Sequence, residues 1–175
     1  FVRQYRYCFK ADISKFYPSI DHDILMGVLR QKIKCPETLA LLEDIVRSYP
    51  GGKNAPIGNY TSQWFGNLYM NELDQFIKHN LRARAYVRYC DDFVVFSNDK
   101  RWLAEVRDAV WGFLRWNLRL TFSRQAVFPV TQGVDFLGYR HWPHKILVRK
   151  STAKRVKRRM AKLPGQLLSG EITEE

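Results

Sequence analysis

Hydrophobic and polar positions divide this chain into segments of two periods. From Tyr5 to Ile13 they alternate, with Tyr7, Phe9, Ala11 and Ile13 on one side and Arg6, Cys8, Lys10 and Asp12 on the other. That pattern predicts a half-buried strand with Asp12 near its end on the polar face. Ser19 and Asp21 supply caps for a helix to about Lys34, and Pro36 opens a second helix to about Ser48. Pro50, Gly51, Gly52, Pro56 and Gly58 make the next stretch a loop. A long helix from about Thr61 to Asn80 carries Phe65, Leu68, Tyr69, Leu73, Phe76 and Ile77 on one face.

Ala85 to Phe96 reads as two short strands folded back at Cys90-Asp91-Asp92. The second of them, Phe93-Val94-Val95-Phe96, has no polar side and is expected to be buried on both faces. Asp99 caps an amphipathic helix carrying Leu103, Val106, Val110, Phe113 and Leu114. Short strands are expected near Leu118–Phe122, Ala126–Val130, Asp135–Tyr139 and Ile146–Val148. A last helix, from Ser151 to about Leu163, is expected to be basic all round and to begin a separate subdomain. The order predicts an α+β domain in which helices back one face of a mainly antiparallel sheet.

Composition adds a partner class. At 175 residues and 46% hydrophobic, the chain can bury a core without staples, and it is too apolar to be disordered. The 29 Lys and Arg against 17 Asp and Glu give a net charge of +12, which favours a polyanion partner through counterion release. Cys8, Cys35 and Cys90 are scattered without a metal-finger spacing and read as reduced thiols, so a cytoplasmic setting is expected, with no membrane partner. The chain opens at Phe1 in strand-like sequence, which leads us to expect a preceding portion.

Against that basic background the acids in Tyr89-Cys90-Asp91-Asp92-Phe93 stand out. Asp is a good turn residue, and an Asp-Asp hairpin turn taken alone needs no further account. Asp12, at the end of a second strand of the same character, changes this. One carboxylate on one strand and two on a neighbouring hairpin can hold two Mg²⁺ ions about 3.5–4 Å apart. Magnesium suits such a set because it takes few protein carboxylates and completes its octahedron with water and phosphate.

These residues resemble a family. Asp12-Ile-Ser-Lys-Phe-Tyr-Pro-Ser-Ile-Asp21 is similar to the first palm motif of reverse transcriptases, and Tyr89-Cys-Asp-Asp92 to their Tyr-x-Asp-Asp box. The resemblance implies a polymerase palm, a ferredoxin-like antiparallel sheet backed by helices, over residues 1–148. It implies the start of a basic helical thumb over residues 149–175, with the fingers outside this chain. It implies RNA-directed addition of deoxynucleotides to a DNA or RNA primer on an RNA template. Asp12, Asp91 and Asp92 would be the catalytic acids, and these three with Ile13 would bind two Mg²⁺ ions, for which Mn²⁺ can substitute. One ion would lower the pKa of the primer 3′ hydroxyl and the other would neutralise the triphosphate. Phe16 and Tyr17 would meet the incoming nucleotide, with Tyr17 excluding a ribose 2′-hydroxyl. Pro56, Ile57, Gly58, Ser62 and Gln63 resemble the loop and helix start that touch nucleotide and template. Gln132-Gly-Val-Asp-Phe-Leu-Gly-Tyr139 resembles the primer-gripping hairpin, implying roles for Gly133, Phe136, Leu137 and Gly138. Beyond it, Arg149, Lys150, Lys154, Arg155, Lys157 and Arg158 would lie along the duplex backbone.

Within the family, Ile57-Gly58-Asn59-Tyr60-Thr61-Ser62-Gln63 is similar to the form found in diversity-generating retroelements, where intron-encoded and most other bacterial members read Gln-Gly-x-x-x-Ser-Pro. That likeness implies error-prone copying opposite template adenines and a small basic accessory variability protein as partner, in a bacterial, archaeal or phage-encoded system. Ile57 replaces a Gln able to hydrogen-bond near the nucleotide, so looser selection is expected there. Group II intron, retron and phage-defence enzymes are the alternatives, and a nucleic-acid-binding module without activity is the alternative of another class. Two departures stand out: Ser123-Arg124-Gln125 replaces the usual His-Pro and Lys, leaving a proton-donor role vacant or passed to Arg124, and no fingers motifs precede Phe1. Without the triphosphate-clamping residues of the fingers, this stretch is expected to be inactive alone. Trp64, Trp102, Trp111 and Trp116 are expected to pack at helix edges, and His141 and His144 to be loop residues.

Overall fold

The computed structural model describes residues 1–55 and 60–168, with side chains through 163. Strand β1 (Tyr7–Ile13) leads through a short helix α1 (Phe16–Ser19) into α2 (His22–Lys32) and α3 (Pro36–Arg47). Helix α4 (Tyr60–Gln75) ends in a π turn (Phe76–Asn80), followed by the hairpin β2 (Tyr86–Tyr89) and β3 (Asp92–Ser97). Helix α5 (Lys100–Asn117), β4 (Phe122–Pro129) and a 3₁₀ turn (Val130–Gln132) come next. Then follow β5 (Val134–Phe136), β6 (Tyr139–His141), β7 (Ile146–Val148) and α6 (Lys150–Leu168).

Four strands form one antiparallel sheet in the order β2-β3-β1-β4, and β5-β6-β7 form a second. The first order is ferredoxin-like, with β3 slotted between β1 and β2. Phe93, Val94, Val95 and Phe96 of β3 are all buried, as a strand without a polar side requires. One face of the large sheet carries Phe9, Ala11, Ile13, Phe93 and Val95 against the helices, with Leu103, Val106, Val110 and Leu114 of α5 packed over β1, β3 and β4. The Phe9 and Phe93 rings meet edge to face at 5.8 Å. Burying each such ring contributes about 2–3 kcal/mol.

The other face is divided. Cys8, expected on a polar face, is fully buried, because Ala85, Val94, Phe96, Val130 and Val134 close a second small core over that end of β1. Further along, the same face opens to solvent at Lys10 and Asp12.

Four further expectations are corrected. The two strands foreseen on either side of Ser123 are one strand, β4, while Leu118 and Leu120 are buried in the turn leaving α5, which Arg119 makes at φ +51°. The single strand foreseen at Asp135–Tyr139 is a hairpin, because Leu137 and Gly138 both take positive φ (52° and 83°), as a two-residue primed turn demands. Helix α6 is not basic all round, since Val156, Met160 and Leu163 form an exposed stripe at helical spacing, and the helix continues past Leu163 to Leu168. Trp64 and Trp116 are 70% and 76% exposed, not packed.

Asp21 ties the helices to the sheet. Its carboxylate caps α2 by accepting from the N–H groups of Asp23 and Ile24 (3.1 and 3.3 Å) and pairs with Arg119 at 2.8 Å. Its own N–H reaches the Tyr69 hydroxyl, which donates to the Leu118 carbonyl at 2.7 Å. Burial resists ionisation of Asp21, but Arg119 and the helix N–H groups prevail and hold the carboxyl below the usual aspartate range. A depressed carboxyl contributes stability that is complete above the unfolded pKa and is lost as pH falls through the folded value. Asp21→Ala should therefore cost about 2 kcal/mol at neutral pH, through the cap and the pair together. Asp21→Asn should flatten the acid limb of a thermal-melt pH profile below about pH 4. An unaltered acid limb would remove this role.

Candidate active site

Antiparallel pairing of β1 with β3 sets Asp12 directly opposite Asp92, at the open end of the divided face. Asp91 stands next to them on the two-residue turn between β2 and β3. The chain makes that turn with Cys90 at φ +53°, a left-handed conformation that costs a non-glycine residue about 1 kcal/mol. Arg88 holds the turn from below. Its guanidinium forks onto Asp74 of α4 (2.7 and 2.5 Å) and donates to the Cys90 carbonyl at 3.0 Å. Tyr86 donates to the same Asp74 at 2.7 Å.

Like charges directly opposite on a sheet repel, and two local contacts temper this. Lys10, two residues before Asp12 on the same face, places its ammonium on the Asp92 carboxylate. Ser123 donates from its hydroxyl to the Asp12 carboxylate at 2.8 Å, with the Asp12 carbonyl at 3.1 Å. It can do so because the β1–β4 register slips at this point: Asp12 pairs with Arg124 and Ile13 with Phe122, leaving Ser123 as the bulged residue. Bulges re-aim side chains in this way. Burial lifts the Asp91 carboxyl above the usual range, and the charges of Asp12 and Asp92 add to the effect. Burial also lifts Asp92, against the pull of Lys10. Burial, with Cys90, Asp91 and Tyr89 nearby, pushes the Tyr17 phenol above its ordinary range, which sets Tyr17 beside the same turn.

The acids open onto a cleft of about 510 Å³ between the two sheets, whose other walls include Arg124, Gln132, Gly133, Arg140 and Arg149. Arg140 and Arg149 stand 3.9 Å from Asp135, and the buried Nε atoms of both arginines, with Asp135 Oδ1, have no closer partner. Gly133 is required here. It has φ +85°, and a Cβ would come within 2.7 Å of both Arg140 and the Trp142 ring on which Arg140 stacks.

The anticipated residues separate accordingly. Asp12, Asp91, Asp92, Tyr17, Gly133, Phe136 and Arg149 gather at or beside the cleft. Leu137 and Gly138 form the β5–β6 turn, and Lys150, Lys154, Arg155, Lys157 and Arg158 lie on exposed parts of α6. The side chains of Ile13 and Phe16 are 2% and 4% exposed in the core, so Ile13 can offer only backbone, and Phe16 acts by backing Tyr17 at 5.1 Å. A Cβ on Gly66 would lie 3.1–3.2 Å from both of these rings, so the small residue in α4 sets their place. Ser62 is buried and Gln63 exposed on the first turns of α4. Pro56, Ile57 and Gly58 lie outside the described residues. Ser123 was noted in the sequence only as a departure from the family's usual residue, and Lys10, Arg88 with Asp74, and Arg140 were not singled out. Only the alternation placing Lys10 beside Asp12 pointed toward any of them.

Among the described residues no group of three His, Cys, Asp or Glu is arranged to hold a metal. The donor chemistry nevertheless fits a hard divalent cation. Mg²⁺ needs only one or two carboxylates with waters and substrate phosphate, and both the burial that chiefly lifts Asp91 and the neighbouring charges that add to it are what such a cation offsets.

Comparison with known proteins bears on the family and the fold. Residues 2–141 match the family model described as reverse transcriptase (RNA-dependent DNA polymerase). Protein YkfC of Escherichia coli strain K12 is 23% identical over 177 residues, which takes in 77% of this chain and 46% of its own length. Apo telomerase of Candida tropicalis, truncated from its C-terminal domain, superimposes with a TM-score of 0.64 at 12% identity, over 82% of this chain and 35% of that one. Telomerase of Candida albicans, in complex with a TWJ fragment of telomeric RNA, gives 0.62 at 12% identity, over 82% and 30%. The chain spans less than half of each of these proteins, and at 12% identity the structural likeness establishes the fold alone.

Removing Arg88 should loosen the turn that carries Asp91. Arg88→Met leaves the half-buried Asp74 carboxylate without a counter-charge and with only the Tyr86 hydroxyl as partner, and is expected to cost about 2–3 kcal/mol in thermal or urea unfolding. Arg88→Lys should recover less than half of that, because an ammonium cannot make the two-toothed contact. Full recovery by lysine would show that charge alone, not the fork, holds the turn.

Proposed function

This chain belongs to the reverse transcriptase family, and on that premise we propose that it is the palm-type core, residues 1–148, of an RNA-directed DNA polymerase, with α6 opening a basic thumb over 149–175. The observation that carries the reading is the placing of Asp12 opposite Asp92, with Asp91 on the adjoining turn, at the mouth of a cleft that also carries Arg124, Arg140 and Arg149. We assign Asp12, Asp91 and Asp92 to hold Mg²⁺ (or Mn²⁺), with the Ile13 backbone beside them. When bound, the ions would supply charge neutralisation and an acidified 3′ hydroxyl. The remaining roles belong to the chain itself. Ser123 fixes the direction of the Asp12 carboxylate, and the Arg88–Asp74 fork fixes the turn. Tyr17 bars a 2′-hydroxyl. The start of α4, with Gln63, presents the positive end of a helix toward phosphate. The β5–β6 hairpin at Gly133 and Phe136–Gly138 bears on the primer strand, and Arg149 to Arg158 follow its phosphates. Arg124, paired with Asp12 across the sheet, can stabilise charge on a leaving group but is a poor proton donor.

An RNA template, a DNA or RNA primer and deoxynucleotides are the partners this reading requires. The telomerase solved with telomeric RNA supports the first of these. No helix among the described residues is long and apolar enough to cross a membrane, and YkfC supports a bacterial setting. Within the family we assign the chain to the diversity-generating retroelement type, on the run Ile57 to Gln63, with an accessory variability protein as further partner.

Primer extension by the intact protein on an RNA template with Mg²⁺ tests the activity. DNA synthesis should vanish with Asp91→Ala, and errors should cluster opposite template adenines. Evenly spread errors would remove the retroelement assignment, and no synthesis even with an accessory protein would favour a binding module. Ile57→Gln should lower misincorporation at adenines. Tyr17→Ala should raise ribonucleotide incorporation by about tenfold or more. Ser123→Ala should lower kcat by about tenfold with KM for nucleotide little changed, the size seen when a ligand-orienting hydrogen bond is lost. A change confined to KM would place Ser123 elsewhere in the mechanism.

A further inference from the structure

Lys10 touches two things at once. Its ammonium rests on the Asp92 carboxylate, and it also lies 5.6 Å from the centroid of the Phe136 ring. Phe136 belongs to β5, in the other sheet, on the hairpin assigned above to the primer. Lys10 and Asp92 are both mostly covered, with side chains 21% and 24% exposed, so this ammonium is not a freely solvated surface charge. The Lys10 side chain therefore bridges an acid of the candidate metal site and a ring of the candidate primer site, across the cleft that contains Asp12.

An ammonium and a divalent ion cannot share the same face of one carboxylate oxygen. We propose that Lys10 is a positioning residue whose ammonium occupies the cation's place on Asp92 until nucleic acid arrives, so that tight metal binding waits for the primer. The inference rests on the assignment of Asp12, Asp91 and Asp92 as metal ligands. The exchange is a displacement of one cation by another: the Lys10–Asp92 pair opens, the divalent ion takes the carboxylate, and the freed ammonium turns to a new anion. In the free protein Lys10 has no disengaged anion to compensate its leaving, since Asp12 belongs to the metal set and Asp135 stands between Arg140 and Arg149. A phosphate backbone laid against Phe136 supplies that compensation. The coupling is reciprocal, so bound metal should tighten primer binding by the same factor as primer tightens metal.

The test is a Mn²⁺ titration of the intact protein followed by the electron paramagnetic resonance signal of free Mn²⁺, with and without a primer–template duplex and without nucleotide. In wild type, Mn²⁺ should bind weakly alone and more tightly with duplex. Lys10→Met should bind Mn²⁺ about fivefold more tightly than wild type in the absence of duplex, a gain sized to a partly exposed ion pair, and should gain little further from duplex. Lys10→Arg should behave as wild type. Phe136→Leu, which leaves Lys10 in place but removes the ring face, should shift in the same direction as Lys10→Met and by less, and it serves if Lys10→Met folds poorly. Equal or weaker Mn²⁺ binding by Lys10→Met alone, or an undiminished duplex effect in it, would overturn the proposal while leaving the metal site standing. Mn²⁺ binding that is indifferent to Asp12→Asn and Asp91→Asn would instead overturn the metal-site assignment, and this inference with it.

Discussion

Two carboxylates face each other across the centre of the sheet, and much of the surrounding structure consists of the conditions under which that pairing is tolerable. Like charges directly opposite in an antiparallel pair cost up to about 1 kcal/mol. The opposite face of the same strands buries Phe9, Ala11, Phe93 and Val95, which stabilise the sheet by several times that amount. Because β1 and β3 are the two central strands, their pairing is fixed by apolar contacts that never see the charges. The register therefore does not yield to repulsion. Instead the repulsion is met locally, by Lys10 on Asp92 and by Ser123 on Asp12.

The two remedies differ in kind. A hydroxyl orients a carboxylate without neutralising it, and it comes from a bulge that breaks the ladder at one residue only. An ammonium neutralises its partner and is mobile. Asp91, by contrast, is placed by backbone: a turn with left-handed Cys90, made rigid from below by a guanidinium fork between β2 and α4. Strain of this sort persists only where the surroundings over-determine it. Here the Arg88 bond to the Cys90 carbonyl ties the strained residue to the same helix whose first turn carries Gln63. Movement of α4 would thus be felt at Asp91 through a chain of three residues.

How much of this could be read from the sequence follows from the range of each signal. The caps at Asp21 and Asp99, the proline opening α3, the alternation of β1 from Phe9 to Ile13 and the unbroken apolar run of β3 act within a few residues, and all stand as expected. The three acids come together as expected because their strands pair. What was hidden depends on which residue lies opposite. The bulge at Ser123 exists only in the β1–β4 register, so Ser123 looked like a lost family residue when it is a partner of Asp12. Cys8 alternates with apolar neighbours and looked solvated, yet the 3₁₀ turn and β5 fold over it. Phe16 and Tyr17 are adjacent aromatics, and only the short helix α1 sends one to the core and the other to the turn. Positive φ at Leu137 split an expected strand into a hairpin, because leucine gives no local warning of that conformation.

The cleft also shows why a net charge of +12 says little by itself about where anions bind. Four cationic side chains around the acids come from four places: Lys10 from β1, Arg124 from β4, Arg140 from β6 and Arg149 from the approach to α6. Their tethers are independent, so no single movement withdraws them all. Two of them, Arg140 and Arg149, stand 3.9 Å from Asp135 with buried nitrogens unsatisfied, a spacing too long for a settled pair. Unmade bonds in a partly desolvated cleft favour whichever ligand can complete them. A phosphodiester offers oxygens that one carboxylate, placed between two guanidinium groups, cannot supply to both. The acids at one end of the cleft ask for a cation and the arginines at the other ask for an anion. A nucleic-acid strand accompanied by its divalent ions satisfies both demands together, and a metal ion or a polyanion alone satisfies only one.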